Sequence, residues 1–331
     1  MRPLAVSMGD PAGIGLEVLA QVCRAAPCFL VGDMSAFARA GERVGVSLPL
    51  RRIARAEEAQ AEADGPLCVL HEPLAMPETP GAPDPVNAAA VERAIRTGVA
   101  ACLSGGASGL VTLPIAKASL YQAGFTFPGH TEFIGDLTKD APWSGARGPV
   151  MMLACAELRV ALASIHLPLA AAPKALSTSR IAHVGRVLAE ALRRDFGIAK
   201  PRIALAALNP HAGEEGALGR EEIEIINPAA AMLRAEGHDV RDAAPADTLF
   251  HTEARAHYDA VIAMYHDQGL IPLKTLDFWG GVNISLGLPI VRTSPDHGTG
   301  FALAGKKLAR TDSVAAALRM AWAMAERRAR A

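Results

Sequence analysis

Short apolar runs bounded by turn residues punctuate the first third of the chain: Leu4 to Ser7, Cys28 to Val31, Leu67 to Leu70 and Leu110 to Leu113. Each has the length of a strand, and helix-length segments fill the gaps between them. One such segment is Ala-rich, opens near Asn87, a residue suited to an N-cap, and reaches Leu103 before Gly105-Gly106 stops it. Strands alternating with helices predict a mainly parallel sheet covered on both faces. The middle of the chain differs. Val150 to Ala154 and Leu158 to Ile165 are separated only by Cys155-Ala156-Glu157, a spacing that predicts an antiparallel hairpin. Strand-like runs follow at Ile203 to Leu208, Ala260 to Tyr265, Val282 to Leu286 and Ile290 to Thr293. An Ala/Leu/Met/Trp stripe from a cap at Asp312 or Ser313 to Met324 predicts the last helix.

At 331 residues the chain exceeds the usual size of a single core. Prolines crowd positions 61–85 without making a low-complexity linker, so two intimately joined α/β lobes with a cleft are expected, the C-terminal segment returning to the first lobe. A content of 50% hydrophobic and 20% charged residues excludes a disordered chain. The 33 basic and 34 acidic residues nearly cancel and the basic ones are scattered, which argues against nucleic acid as a partner. The densest basic group, Arg327, Arg328 and Arg330, suits the negative end of a last helix. Five cysteines without a C-x-x-C pair read as buried thiols in a reducing compartment. The N-terminus runs straight into a strand-like segment without the features of a signal peptide, and no apolar span approaches the ~20 residues of a membrane helix. The expected location is the cytoplasm, with no membrane partner.

Three histidines stand just beyond three strand-like runs: Ala163-Ser164-Ile165-His166, Ala207-Leu208-Asn209-Pro210-His211 and Ala263-Met264-Tyr265-His266. Ligands of open α/β sheets bind beyond strand C-termini. A lone histidine there is usually a hydrogen-bonded loop residue, but three in one topological position suit a divalent cation with a place left open for substrate. Asp267 and Asp247 can each orient an imidazole, or simply serve as turn and cap residues. A second set, Gly129-His130-Thr131-Glu132 with Lys274, Asn283 and Arg292, suits a phosphate or carboxylate. Thr131 is placed to N-cap a helix whose amides attract anions. The opening Gly9-Asp10-Pro11-Ala12-Gly13-Ile14-Gly15 lies between a strand and a helix but is neither G-x-G-x-x-G nor a P-loop. Asp296-His297-Gly298-Thr299-Gly300 with Ala304-Gly305 is a second loop that lets a ligand approach backbone closely.

Together these segments resemble the 4-hydroxythreonine-4-phosphate dehydrogenase family of vitamin B6 biosynthesis, from Met8-Gly9-Asp10 to Ala304-Gly305. The specific blocks are Pro128-Gly129-His130-Thr131-Glu132-Phe133, His166-Leu167-Pro168-Leu169, Leu208-Asn209-Pro210-His211-Ala212-Gly213-Glu214, Ala246-Asp247-Thr248-Leu249-Phe250, Ala263-Met264-Tyr265-His266-Asp267-Gln268-Gly269, Gly281-Val282-Asn283-Ile284 and Arg292-Thr293-Ser294-Pro295-Asp296-His297-Gly298-Thr299. The resemblance implies an isocitrate/isopropylmalate dehydrogenase-like fold of two α/β lobes with an intervening active-site cleft. Residues 1–128 with 285–331 would form the nucleotide-side lobe, and residues 129–284 the lobe carrying the metal and the dimer contact.

The same resemblance implies a homodimer with shared active sites, NAD or NADP as hydride acceptor, and one divalent metal per site, zinc, magnesium or cobalt. His166, His211 and His266 match the metal ligands, with His166 and His211 expected from one chain and His266 from the other. His130, Thr131, Lys274, Asn283 and Arg292 match substrate-binding positions; Asp296, His297, Gly298, Thr299 and Gly305 match the nucleotide loop. Lys274, Asp247 and Asp267 are the side chains placed for catalysis. The implied reaction oxidises 4-hydroxythreonine 4-phosphate to 2-amino-3-oxo-4-phosphooxybutanoate, which decarboxylates to 3-amino-2-oxopropyl phosphate. Leu113, Ala302 and Lys306-Lys307 depart from the family pattern, which bears on nucleotide contacts more than on chemistry. The alternatives are a dehydrogenase of threonate or erythronate 4-phosphate on the same fold, a three-histidine metallohydrolase or aldolase, and a catalytically silent binding protein.

Overall fold

The computed structural model describes residues 1–60 and 65–330. Among them are twelve strands: β1 (Leu4–Ser7), β2 (Cys28–Gly32), β3 (Leu50–Ile53), β4 (Leu67–His71), β5 (Leu110–Thr112), β6 (Val150–Ala154), β7 (Arg159–Leu162), β8 (Arg202–Leu205), β9 (Asp239–Val240), β10 (Ala260–Ala263), β11 (Val282–Leu286) and β12 (Arg292–Pro295). The chain divides into two compact units, Met1–Pro142 with Leu288–Arg330 and Trp143–Gly287.

The first unit orders its strands β3-β4-β2-β1-β5-β12, every pair parallel. Leu4, Ala5 and Val6 on β1 are wholly buried, as a strand covered on both faces requires. The predicted helix is present as Ala88–Leu103, but Asn87 does not cap it. The Asn87 side chain instead accepts hydrogen bonds from the amides of Ala75 (3.0 Å) and Met76 (3.1 Å) and so fastens the preceding loop. Asp84 opens the segment by capping the short 3₁₀ turn Pro85–Asn87. The last helix, Asp312–Arg328, packs on β12 within the first unit.

The first unit runs on to Pro142, past residue 128. Helix His130–Leu137 belongs to the first unit because Phe133, fully buried, packs edge-on to Phe125 (4.9 Å) and against Phe127 (5.1 Å). The guanidinium of Arg96 lies 4.9 Å over the same ring. At the other end the division falls after Gly287 rather than after residue 284, so β11 stays whole within the second unit.

The second unit orders its strands β11-β6-β7-β10-β8-β9. The predicted hairpin is there: β6 and β7 pair antiparallel, Met152 opposite Ala161, and Cys155 donates its amide to Leu158 (2.9 Å) in the turn. β11 also pairs antiparallel with β6, whereas β7, β10, β8 and β9 run parallel. Leu153, Val160, Leu162, Ala263 and Leu273 form the core between this sheet and helix His266–Leu276. Among the described residues no helix is long and apolar enough to cross a membrane. The five cysteines are unpaired, and burial pushes the Cys102 thiol up to about 12.

Candidate active site

β7, β10 and β8 are neighbours and parallel, so their C-terminal ends lie along one edge of the second unit's sheet, and the loops there carry His166, His266 and His211. Buried side chains tie these loops together. Ser164 donates to the Met264 carbonyl (2.7 Å), while Gln268 accepts from the Met264 amide (2.7 Å) and donates to the Ala207 carbonyl (2.6 Å). The histidine positions were legible from the sequence; this lacing was not, because Ser164 and Gln268 follow no spacing rule.

His166 and His266 stand side by side, with ring centroids 5.8 Å apart. His266 Nδ1 is 2.7 Å from Asp267 Oδ1, the orienting contact expected of Asp267, which leaves Nε2 for a ligand. His211 behaves differently. It is exposed and begins five consecutive residues, His211 to Glu215, with φ between 44° and 82°. A left-handed conformation costs a non-glycine residue about 1–2 kcal/mol, so four such residues need an outside constraint. Buried Glu222 supplies it by accepting from the amides of Leu208 and Asn209, both at 2.8 Å, and from Asn209 Nδ2 at 3.0 Å. Among the described residues no three His, Cys, Asp or Glu side chains gather as a metal site. Within one chain His166 and His266 are the two that lie side by side.

The other expected residues of this unit are dispersed. Asp247 is exposed in helix Ala246–Leu249 and makes no hydrogen bond to the histidines. Lys274 lies two turns along the helix from His266, its ammonium 5.2 Å from the Phe278 ring centre. Asn283 on β11 keeps its Oδ1 out of solvent with no hydrogen-bond partner, a group that calls for a ligand or water.

In the first unit β5 and β12 lie side by side, and Arg292, 2% exposed, donates from Nη2 to Thr112 Oγ1 at 2.7 Å. Burial depresses this guanidinium to about 10, and the Glu132 carboxylate opposes the shift. His130 opens helix His130–Leu137, so Gly129 occupies the cap position and Thr131 lies inside the first turn rather than capping it. Burial, then the charges of Arg292 and Lys117, hold the His130 imidazole neutral, well below its ordinary range. Its Nε2 is buried and has no hydrogen-bond partner. A neutral imidazole beside a buried guanidinium can accept an anion.

The loop after β12 rests on the opening turn. Ile14 donates its amide to the Thr299 carbonyl (2.9 Å), and Gly13 is required because a Cβ there would come within 2.6 Å of that oxygen. Gly9 has φ +64° and is wedged against Pro114 and Leu113. Met8, Asp10, Ala12 and Ile14 are all buried, so the glycine turn is a support and not an open cradle. Leu113 packs into it, which places that departure from the family pattern in the core. Gly305 donates its amide to the buried Glu17 carboxylate (3.0 Å), which also accepts from Arg43 Nε (2.8 Å). Asp296 donates its amide to Ser313 Oγ at 2.9 Å, Gly298 faces open space, and His297 Nε2 is buried without a partner.

A family model described as "Pyridoxal phosphate biosynthetic protein PdxA" matches residues 24–321. The chain belongs to the PdxA family. Within it, a Caulobacter vibrioides protein named 4-hydroxythreonine-4-phosphate dehydrogenase is 58% identical over 332 residues, spanning 99% of this chain and 98% of that protein. A Maricaulis maris protein of the same name is 54% identical and spans 99% of each. The crystal structure of 4-hydroxythreonine-4-phosphate dehydrogenase from Klebsiella pneumoniae superposes with a TM-score of 0.88 at 38% identity, covering 98% of this chain and all of that one. PdxA membership agrees with the resemblance carried by the ordered motifs.

Proposed function

We propose that the chain is an NAD-linked, metal-dependent dehydrogenase that oxidises 4-hydroxythreonine 4-phosphate at C3. The observation that carries this reading is the arrangement in the second unit: three adjacent parallel strands deliver three histidines to one sheet edge, two of them with rings 5.8 Å apart. Two imidazoles sharing a tetrahedral cation at ~2.0–2.1 Å bring their ring centres to roughly 5 Å, so His166 and His266 fit one cation with little adjustment. His166, His266 and His211 are the side chains that would hold it. A bound divalent cation, zinc, magnesium or cobalt, supplies Lewis-acid polarisation that lowers the pKa of the substrate alcohol.

The remaining work falls to the protein's own groups. Arg292, fixed by Thr112, grips the substrate phosphate together with His130 and Thr131. Lys274 and Asn283 serve the same substrate, Asn283 through its unsatisfied Oδ1. Asp267 is engaged by His266 and so orients that ligand, which leaves Lys274 and Asp247 as the side chains that can take the alcohol proton. The loop 296–305, anchored by Glu17 and Ile14, would hold NAD or NADP, which would supply the hydride acceptor. The 3-oxo product is a β-keto acid, and loss of its carboxylate gives 3-amino-2-oxopropyl phosphate.

Exposed apolar side chains flank all three histidines: Leu167 and Leu169 follow His166, Leu218 follows His211, and Ile271, Phe278 and Trp279 follow His266. Leu169 and Ile271 are 68% and 65% exposed. Apolar surface of this kind marks an interface, and a homodimer that covers it brings His211 of one subunit to the His166–His266 pair of the other. The unpaired cysteines accord with a cytoplasmic enzyme. Initial rates of NAD reduction on 4-hydroxythreonine 4-phosphate, threonate 4-phosphate and erythronate 4-phosphate test the assignment. The highest kcat/KM should belong to the amino acid phosphate; a sugar-acid phosphate preferred tenfold would reassign the substrate, and no NADH from any of the three would remove the reaction.

A further inference from the structure

Lys117 follows β5 after a short turn and belongs to none of the motifs that mark the site. Its ammonium lies against the backbone of Gly129: a methyl group placed on Gly129 would meet Lys117 Cε at 3.6 Å and Nζ at 3.7 Å. Gly129 precedes the helix that presents His130 and Thr131, so the ammonium sits beside the first turn of that helix. Arg292 approaches the same imidazole from β12, and Lys117 and Arg292 both oppose its protonation. Lys117 has no hydrogen-bond or ion-pair partner among the described residues. Two cations thus flank a neutral ring whose Nε2 is buried and unsatisfied among the described residues.

Charge counting decides what would complete it. Glu132 is the nearby carboxylate, its Oε2 3.4 Å from the same point on Gly129. With His130 neutral, Arg292 and Glu132 cancel, so the only net positive charge of the cluster is that of Lys117. A phosphate monoester carries about −1.5 to −2 at neutral pH, and a cluster of zero net charge would discriminate poorly in its favour. Arg292 is a rigid fork already committed in part to Thr112, whereas a lysine is a mobile point charge that follows its ligand.

We infer that Lys117 is a ligand of the substrate's phosphate and the residue that makes this cluster select a phosphoryl dianion. The inference rests on the proposed placement of the phosphate at His130, Thr131 and Arg292. Lys117 is exposed, so Lys117→Met and Lys117→Arg should leave the fold intact. Binding of inorganic phosphate to the enzyme without substrate, followed by ³¹P NMR, should weaken roughly tenfold in Lys117→Met and remain near wild type in Lys117→Arg. The KM for 4-hydroxythreonine 4-phosphate should rise by a similar factor with a smaller change in kcat. The His130 imidazole, titrated by NMR, should move toward its ordinary range in Lys117→Met, a response that a merely structural lysine would not produce. Arg292→Met, or Thr131→Ala if the former does not fold, is the control. Unchanged phosphate binding in Lys117→Met alongside weakened binding in the control overturns the role of Lys117 alone. Unchanged binding in both overturns the phosphate placement as well.

Discussion

If His166 and His266 act together from one chain and His211 from its partner, two inactive variants can restore each other. Consider His166→Ala and His211→Ala, each inactive as a homodimer, unfolded and refolded together in equal amounts. In a mixed dimer one site collects both lesions and the other collects none. Random pairing makes about half the dimers mixed, each with one working site of two, so activity should return to roughly a quarter of wild type by the symmetry of a two-fold interface. The same experiment with His166→Ala and His266→Ala should return nothing if those rings, 5.8 Å apart, serve one site of one chain. NADH formation is the assay, and native mass spectrometry counts the mixed dimers. Recovery in the second mixture but not the first would restore the division His166 with His211 against His266. No recovery in either, with mixed dimers present, would place all three ligands on one chain and refute the shared site.

Thr112→Val deprives the buried Arg292 of its 2.7 Å acceptor, and a buried donor left without that partner costs about 1–3 kcal/mol; chemical denaturation should show that loss and the substrate KM should rise, whereas no change in either would make the contact incidental. Glu17→Ala removes the carboxylate that holds the Gly305 amide; NAD affinity should fall about tenfold, for a charge-assisted bond worth ~1.5–3 kcal/mol, and the Gly305 amide should exchange faster, while unaltered exchange would discard Glu17 as the anchor. His130 is held neutral in the fold, so its folded pKa lies below its unfolded one of about 6.5. Its contribution to stability is therefore complete above that unfolded value and is lost as pH falls toward the depressed folded value. His130→Asn should flatten the decline of stability below pH ~6.5 relative to wild type, and parallel pH profiles of the two proteins would contradict the burial argument.

Buried strands announce themselves, and most of the sheet was readable for that reason: β1, β2, β4 and β11 lie where apolar runs stand. β3 was not readable because it is Leu-Arg-Arg-Ile with both arginines exposed, and β9 because two residues carry no period. Caps misled where a polar side chain had another use. Asn87 spends its amide on the loop at 75–76, and the helix at 130 starts one residue before the threonine expected to cap it. Of the candidate site, residues standing at strand ends were legible through topology. Residues that act across the chain were not: Thr112 reaches Arg292 over 180 positions and Glu17 reaches Gly305 over 288. The left-handed turn at His211 had no signal either, since Ala212, Glu214 and Glu215 are of types that seldom adopt it.

The most direct test of a metal-dependent dehydrogenase is to strip the enzyme with a chelator, remove the chelator, and follow NADH and CO2 from 4-hydroxythreonine 4-phosphate before and after adding back zinc, magnesium or cobalt. The expected result is no NADH without the cation and, once it is restored, one NADH and one CO2 for each substrate consumed. Full NADH formation by a protein shown to be metal-free would contradict the reading, and so would substrate breakdown that proceeds without NAD.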